Sequence, residues 1–97
     1  MKTLHITAFA AAQRIALIYG VAEVHNVRIA IRLDEHIERI LAQTCAMPYM
    51  WPETDTRAHG TVRKAVIDRL TIILYSVRAH QIVVHDFVFA RTDWRQG

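Results

Sequence analysis

Ninety-seven residues with 53% hydrophobic content make a single domain, 1–97, with one core, and the lone cysteine, Cys45, excludes an internal disulfide framework and fits a reducing cytoplasm. No apolar run approaches the ~20 residues needed to cross a bilayer, which excludes a membrane-spanning helix. The formal charge is +3: Met1–His59 holds six basic and six acidic residues, whereas Gly60–Gly97 holds six basic against three acidic, which fits either an acidic partner at the second region or simply a soluble basic surface.

The first twenty residues superficially resemble an export signal, but His5, Gln13 and Arg14 interrupt them, and the expectation is strand plus helix. Leu4 and Ile6 around His5 predict a short strand, with Thr7 as the following N-cap. Ala8, Ala11, Ala12, Ile15, Ile18, Tyr19 and Ala22 recur at helical steps and define the expected buried stripe of a first helix. Leu17, Val21 and Val24 form a second apolar line off that stripe, so the helix either lies between layers or awaits a partner. Gly20 within this helix costs about 1 kcal/mol against Ala.

Asn26 predicts the N-cap of a second helix, Val27 to about Gln43, with Ala30, Leu33, Ile37, Ile40 and Leu41 as its core line. The opposite face carries Arg28, Arg32, Glu35 and Arg39, a solvated charged surface with Glu35 and Arg39 at ion-pair spacing. The tight connection at His25-Asn26 predicts an antiparallel helix hairpin. Thr44–Gly60 is a long connector. Its Met47–Pro52 part is too apolar for a free linker: its aromatics either cover the end of the core, or Tyr49 and Trp51 serve as interface anchors. Glu53–Gly60 is polar and expected to be mobile. From Val62 to Trp94 three β-rich runs follow, broken only by Asp68-Arg69 and Arg78–Gln81. Breaks this short leave room for hairpins alone, so the sheet is expected to be antiparallel.

Motifs for chemistry are sparse. His59, His80 and His85 lack the spacing of a metal site. There is no phosphate-cradling glycine loop or nucleophile elbow, and useful carboxylate pairs are absent outside the charged helix face. Cys45 reads as a small core residue. No catalytic residue, metal or cofactor is therefore expected. What remains is a basic set around the sheet: Arg63, Lys64, Arg69, Arg78, Arg91 and Arg95. Arg63 and Lys64, adjacent in one strand, must face opposite sides.

The order of strand, helix hairpin, PYMWP loop, G-x-x-R strand (Gly60 to Arg63), IILYSV strand, IVVHDFVF strand and A-R-T-D-W ending resembles the RelE/ParE toxins of bacterial toxin–antitoxin systems. The resemblance implies an α+β fold, with the N-terminal helix hairpin packed on a small twisted antiparallel sheet that includes the first strand. RelE-like members cut ribosome-bound mRNA with basic residues and a tyrosine or equivalent near the C-terminus. Here Arg91 is followed by Thr92-Asp93-Trp94-Arg95-Gln96-Gly97, with no Tyr or His. That ending is similar to ParE-like members, which poison DNA gyrase by binding and carry no catalytic site. The resemblance thus implies a cytoplasmic ParE-like gyrase inhibitor in a hetero-oligomer with its cognate antitoxin, without sequence-specific nucleic-acid or membrane binding. Arg63, Arg91, Trp94 and Arg95 would contact the target, while Tyr75 would be structural. Leu17, Val21, Val24, Tyr49 and Trp51 would meet the antitoxin. The alternatives are a RelE-like mRNA endonuclease, or a non-toxic protein of this fold that only binds its partner.

Overall fold

Two helices begin where side chains can satisfy their free N–H groups. Thr7 Oγ1 accepts from the Ala10 N–H at 3.1 Å, and Asn26 Oδ1 accepts from the Ile29 N–H at 2.9 Å. In the computed structural model, which describes residues 2–69 and 71–89, these caps open α1 (Ala8–Val24) and α2 (Val27–Ala46). The two pack as the expected hairpin, and the Arg14 side chain ties them together. Its Nε and Nη2 donate to Asp34 Oδ1 at 2.9 and 2.8 Å, and Nη2 also donates to Glu38 Oε1 at 2.6 Å.

The helical period reads α2 correctly: Ala30, Ile37, Ile40 and Leu41 are buried, joined by Thr44 and Cys45. It misreads α1. The residues buried there are Ala10 and Leu17, with Ile18 and Val21 packed against the core, while Ile15 and Tyr19 of the expected stripe are exposed. A helix apolar on most sides gives periodicity little to select, and polar tethers decide instead. Arg14 faces α2, and Gln13 faces the sheet, where its Oε1 accepts the Phe87 N–H at 3.0 Å.

Among the described residues, five strands, β1 (Thr3–Ile6), β2 (Glu53–Thr56), β3 (Gly60–Val66), β4 (Thr71–Val77) and β5 (Gln81–Phe89), form one sheet in the order β1-β5-β4-β3-β2. The β2–β3–β4–β5 pairings are antiparallel, as short connections require. β1 departs from the expected all-antiparallel arrangement. It runs parallel to β5, with Thr3 opposite Gln81 and Ile6 opposite Val84, so the sheet is mixed. A parallel pair needs a long crossover, and everything between β1 and β5 supplies one. Lys2 Nζ secures this register by donating to the Arg78 and Ala79 carbonyls at 2.8 and 2.7 Å.

β2 replaces the mobile segment expected at Glu53–Gly60. Its sequence, Glu-Thr-Asp-Thr, is polar because an edge strand can pair through its backbone while its side chains meet water. Ala65, Ile67, Ile73, Tyr75, Ile82, Val84 and Phe87 join the core beneath the helices. Val62, Ile72 and Leu74, with Val88 against them, form a smaller cluster on the opposite face. Among the described residues, no helix is long and apolar enough to cross a membrane.

Candidate functional site

Strand β5 loses its alternation at one point. Leu74 lies opposite Asp86, but Tyr75 lies opposite Val84, so His85 is an extra residue in a β-bulge. The bulge turns His85 and Asp86 together toward the face away from the helices, which Ser76 also occupies, two residues beyond Leu74. His85 Nε2 is 2.8 Å from Ser76 Oγ.

A third strand connection reaches this point. The β2–β3 turn is built on Thr56, whose Oγ1 accepts the His59 N–H at 3.0 Å and donates to the Gly60 carbonyl at 3.2 Å. Gly60 closes the turn with φ of 68°, a left-handed conformation that suits glycine. The turn projects His59 across the sheet, where its ring stacks on His85 with centroids 4.5 Å apart and planes 18° apart. His59 Nε2 lies 2.8 Å from Asp86 Oδ2, and that carboxylate side chain is only 13% exposed. Burial pushes the His85 pKa below 6.5, aided by His59 and Arg78 and opposed by Asp86. One imidazole bonded to a hydroxyl, beside a second bonded to a carboxylate, forms an acid–base group.

Next to it, β3 and β4 pair only from Arg63–Tyr75 to Val66–Ile72. Beyond Arg63 they leave a cleft of about 270 Å³ lined by Tyr49, Glu53, Arg63, Tyr75, Ser76 and Arg78, among others. Arg63, the expected target contact, is occupied here. Its Nη1 donates to the Trp51 carbonyl at 2.6 Å, Nη2 meets Glu53 Oε1 at 3.1 Å, and its guanidinium lies 5.0 Å over the Tyr49 ring. Tyr75 supports the same loop by donating its hydroxyl to the Pro48 carbonyl at 2.7 Å. Burial, partly offset by Arg63, pushes the Tyr75 pKa up to about 12. This phenol is therefore a hydrogen-bond donor and not a base.

The residues expected to meet a partner separate into two groups. Val24, 78% exposed, and Tyr49 are open to solvent. Leu17 is 6% exposed within the core, and Val21 and Trp51 pack against it, so these three are not the bare surface the sequence suggested. The exposed apolar side chains of α1 are instead Phe9, Ile15 and Tyr19, followed by Val24, Val27 and Ile31 around the hairpin tip. Arg91, Trp94 and Arg95 lie outside the described residues. The site that the sequence reading missed is the set Ser76, His85, Asp86 and His59. Its visible signal was two consecutive polar residues, His85-Asp86, inside an otherwise apolar strand.

No family model matches the sequence, and no curated protein matches it. Among solved structures, the chain is similar to one from the chromosomal ParDE TA system of P. aeruginosa, with a TM-score of 0.75 and 17% identity, over 92% of this chain and 96% of that one. At that identity the likeness shows a shared fold, α+β with a helix hairpin on a five-stranded mixed sheet.

Proposed function

We propose that this protein is a ParE-like toxin that binds DNA gyrase and is neutralised by a cognate antitoxin. The observation that carries this reading is the fold likeness to a chain of a ParDE system, which extends over nearly the whole length of both chains. The bare apolar surface of α1 supports the antitoxin. Ile15 and Tyr19, one turn apart on α1 and both more than half exposed, line an open depression with Ile18, Arg14 and Asp34, an apolar surface that suits a partner helix or extended segment. Gyrase as target rests on the Arg91-Thr92-Asp93-Trp94 ending and its resemblance to ParE-like members. On this reading the protein works in the cytoplasm and has no catalytic site.

A second reading has its own observation. Ser76, His85, Asp86 and His59, on the sheet face that Lys64 shares and with Arg78 near enough to lower the His85 pKa, bring together proton-transfer groups and cations of the kind RNA cleavage uses. One experiment separates the two. Purified protein is added to gyrase with relaxed plasmid and ATP, and separately to a translating ribosome extract. The gyrase reading expects lost supercoiling, protein-linked linear plasmid and intact mRNA. Codon-specific mRNA cuts with normal supercoiling would transfer the function to the acid–base cluster. Unimpaired growth on expression of the chain alone would remove the toxin reading.

A further inference from the structure

We propose that β1 is a self-pairing edge, through which two copies of this chain associate about a two-fold axis and join their five-stranded sheets into one. The sheet ends in two edge strands, β1 and β2. On β1 the Thr3 and Thr7 N–H groups donate inward, to the His80 and Val84 carbonyls at 3.0 and 3.2 Å. Alternation therefore turns the N–H and C=O groups of Leu4 and Ile6 outward, away from β5. Among the described residues, nothing bonds them. On β2 the Lys64 N–H donates to the Pro52 carbonyl at 3.0 Å, and Thr54 lies opposite Val62. There the residues with outward backbone are Glu53 and Asp55.

The two edges differ in what self-pairing brings together. An antiparallel two-fold centred on His5 sets Leu4 opposite the partner's Ile6, and Ile6 opposite the partner's Leu4, each pair exchanging both backbone bonds. The side chains that meet beside those bonds are apolar, which stabilises the pairing. The same operation on β2 would set Glu53 against the partner's Asp55, and Asp55 against the partner's Glu53. Like charges directly opposed across a ladder are destabilising. Those carboxylates, with Pro52 before them, are the protection that edge strands commonly carry. β1, Thr-Leu-His-Ile, has no Asp, Glu, Lys, Arg or Pro to serve that purpose. Apolar surface also borders its bare backbone, since Leu4 is 39% exposed and Phe9, just past the strand, is 63% exposed. An edge this short makes a weak contact, of the transient class below ~1,200 Å². The pairing uses neither the outer face of α1 nor the Arg91–Trp94 ending, so it is independent of the toxin reading.

The test is sedimentation equilibrium of the full chain from ~10 μM to ~1 mM, the range in which small transient interfaces fill. The mean mass should rise from that of one chain toward that of two. Hydrogen exchange at both ends of the range maps the contact. The Leu4 and Ile6 amides should gain protection by about tenfold or more as the dimer fills, while the outward Glu53 and Asp55 amides stay unchanged. Leu4→Pro removes one outward N–H from each copy but spares the inward bonds from Thr3 and Thr7, and should weaken association by about tenfold or more. Should that variant fail to fold, Leu4→Lys, a charge of the kind that blunts natural edges, takes its place with the same expected loss. A chain that is monomeric at ~1 mM would overturn the proposal. So would a dimer whose Leu4 and Ile6 amides stay unprotected, or a folded Leu4→Pro variant that associates like the parent. Protection of those two amides by an added antitoxin, in a chain that stays monomeric alone, would overturn self-pairing and give the edge to that partner.

Discussion

Replacing Arg63 by Ala should weaken the fold more than its place on a strand near the sheet edge suggests. The largest loss is the 2.6 Å bond from Nη1 to the Trp51 carbonyl, which would be left without that donor in a partly buried site. A hydrogen bond from a charged group contributes about 1.5–3 kcal/mol. The Glu53 pair adds little, ~0–1 kcal/mol, because that carboxylate side chain is 61% exposed. The contact over the Tyr49 ring adds about 0.5–1 kcal/mol. These terms share one guanidinium and overlap, so the expected total is ~2–3 kcal/mol. At ~4–8 °C per kcal/mol for a domain of this size, the melting temperature should fall by about 8–24 °C. Arg63→Lys should lose ~1–2 kcal/mol, because an ammonium cannot bond Trp51 and Glu53 with the same fork. Glu53→Ala should lose less than ~1 kcal/mol. Urea denaturation followed by circular dichroism gives all three values. An Arg63→Ala protein within ~0.5 kcal/mol of the parent, yet inactive on its target, would refute this account and make Arg63 a target contact after all.

Four further outcomes are expected. Leu17→Ala should destabilise by ~2–5 kcal/mol through its cavity, whereas Tyr19→Ser, made on the exposed side of the same helix, should change stability by no more than ~0.5 kcal/mol. On the reading proposed above, Tyr19→Ser should also weaken antitoxin binding by ~2 kcal/mol or more in a calorimetric titration. Gln13→Ala should lose ~1–2 kcal/mol in the same urea assay, because the Phe87 N–H at the bulge loses its acceptor. His85 binds protons less readily in the folded chain than in the unfolded one, so its contribution to stability is complete above pH 6.5 and is lost as pH falls from there through its native pKa. Urea midpoints of wild type and His85→Gln should therefore diverge above pH 6.5 and converge below it, and parallel curves would exclude the burial assigned to this ring.

Much of the fold was legible because it rests on patterns that repeat. The core line of α2, the caps at Thr7 and Asn26, and the three hairpin-linked strands all follow from spacing and end chemistry. The face of α1 did not follow, because Ala, Ile, Leu and Val surround it and two polar residues, Gln13 and Arg14, set its orientation through partners far along the chain. β2 was hidden by its polarity, which is normal for an edge strand and reads locally as loop. The direction of β1 depended on where β5 ends up, which no local pattern encodes. The acid–base cluster was the least legible element. His59 and Asp86 are 27 residues apart, and only a one-residue register shift makes them neighbours. Arg63 was noticed for its charge, but its carbonyl partners are invisible in a side-chain pattern.

The parallel seam between β1 and β5 also governs when the protein can become itself. Thr3 Oγ1 bonds the His80 carbonyl across 77 positions of sequence, so the first strand has no sheet to join until the last strand has been synthesised. Closing a loop of that span is entropically expensive and slow compared with forming the helix hairpin or the β3–β4 turn. On the ribosome, α1 and α2 emerge long before β5, and α1 must wait with Ala10 and Leu17 uncovered. The nascent chain therefore passes through an interval in which its helices are complete and its bulge, with the His59 contact, does not yet exist. Any segment that recognises the bare hairpin can engage it during translation, before the sheet face has been assembled.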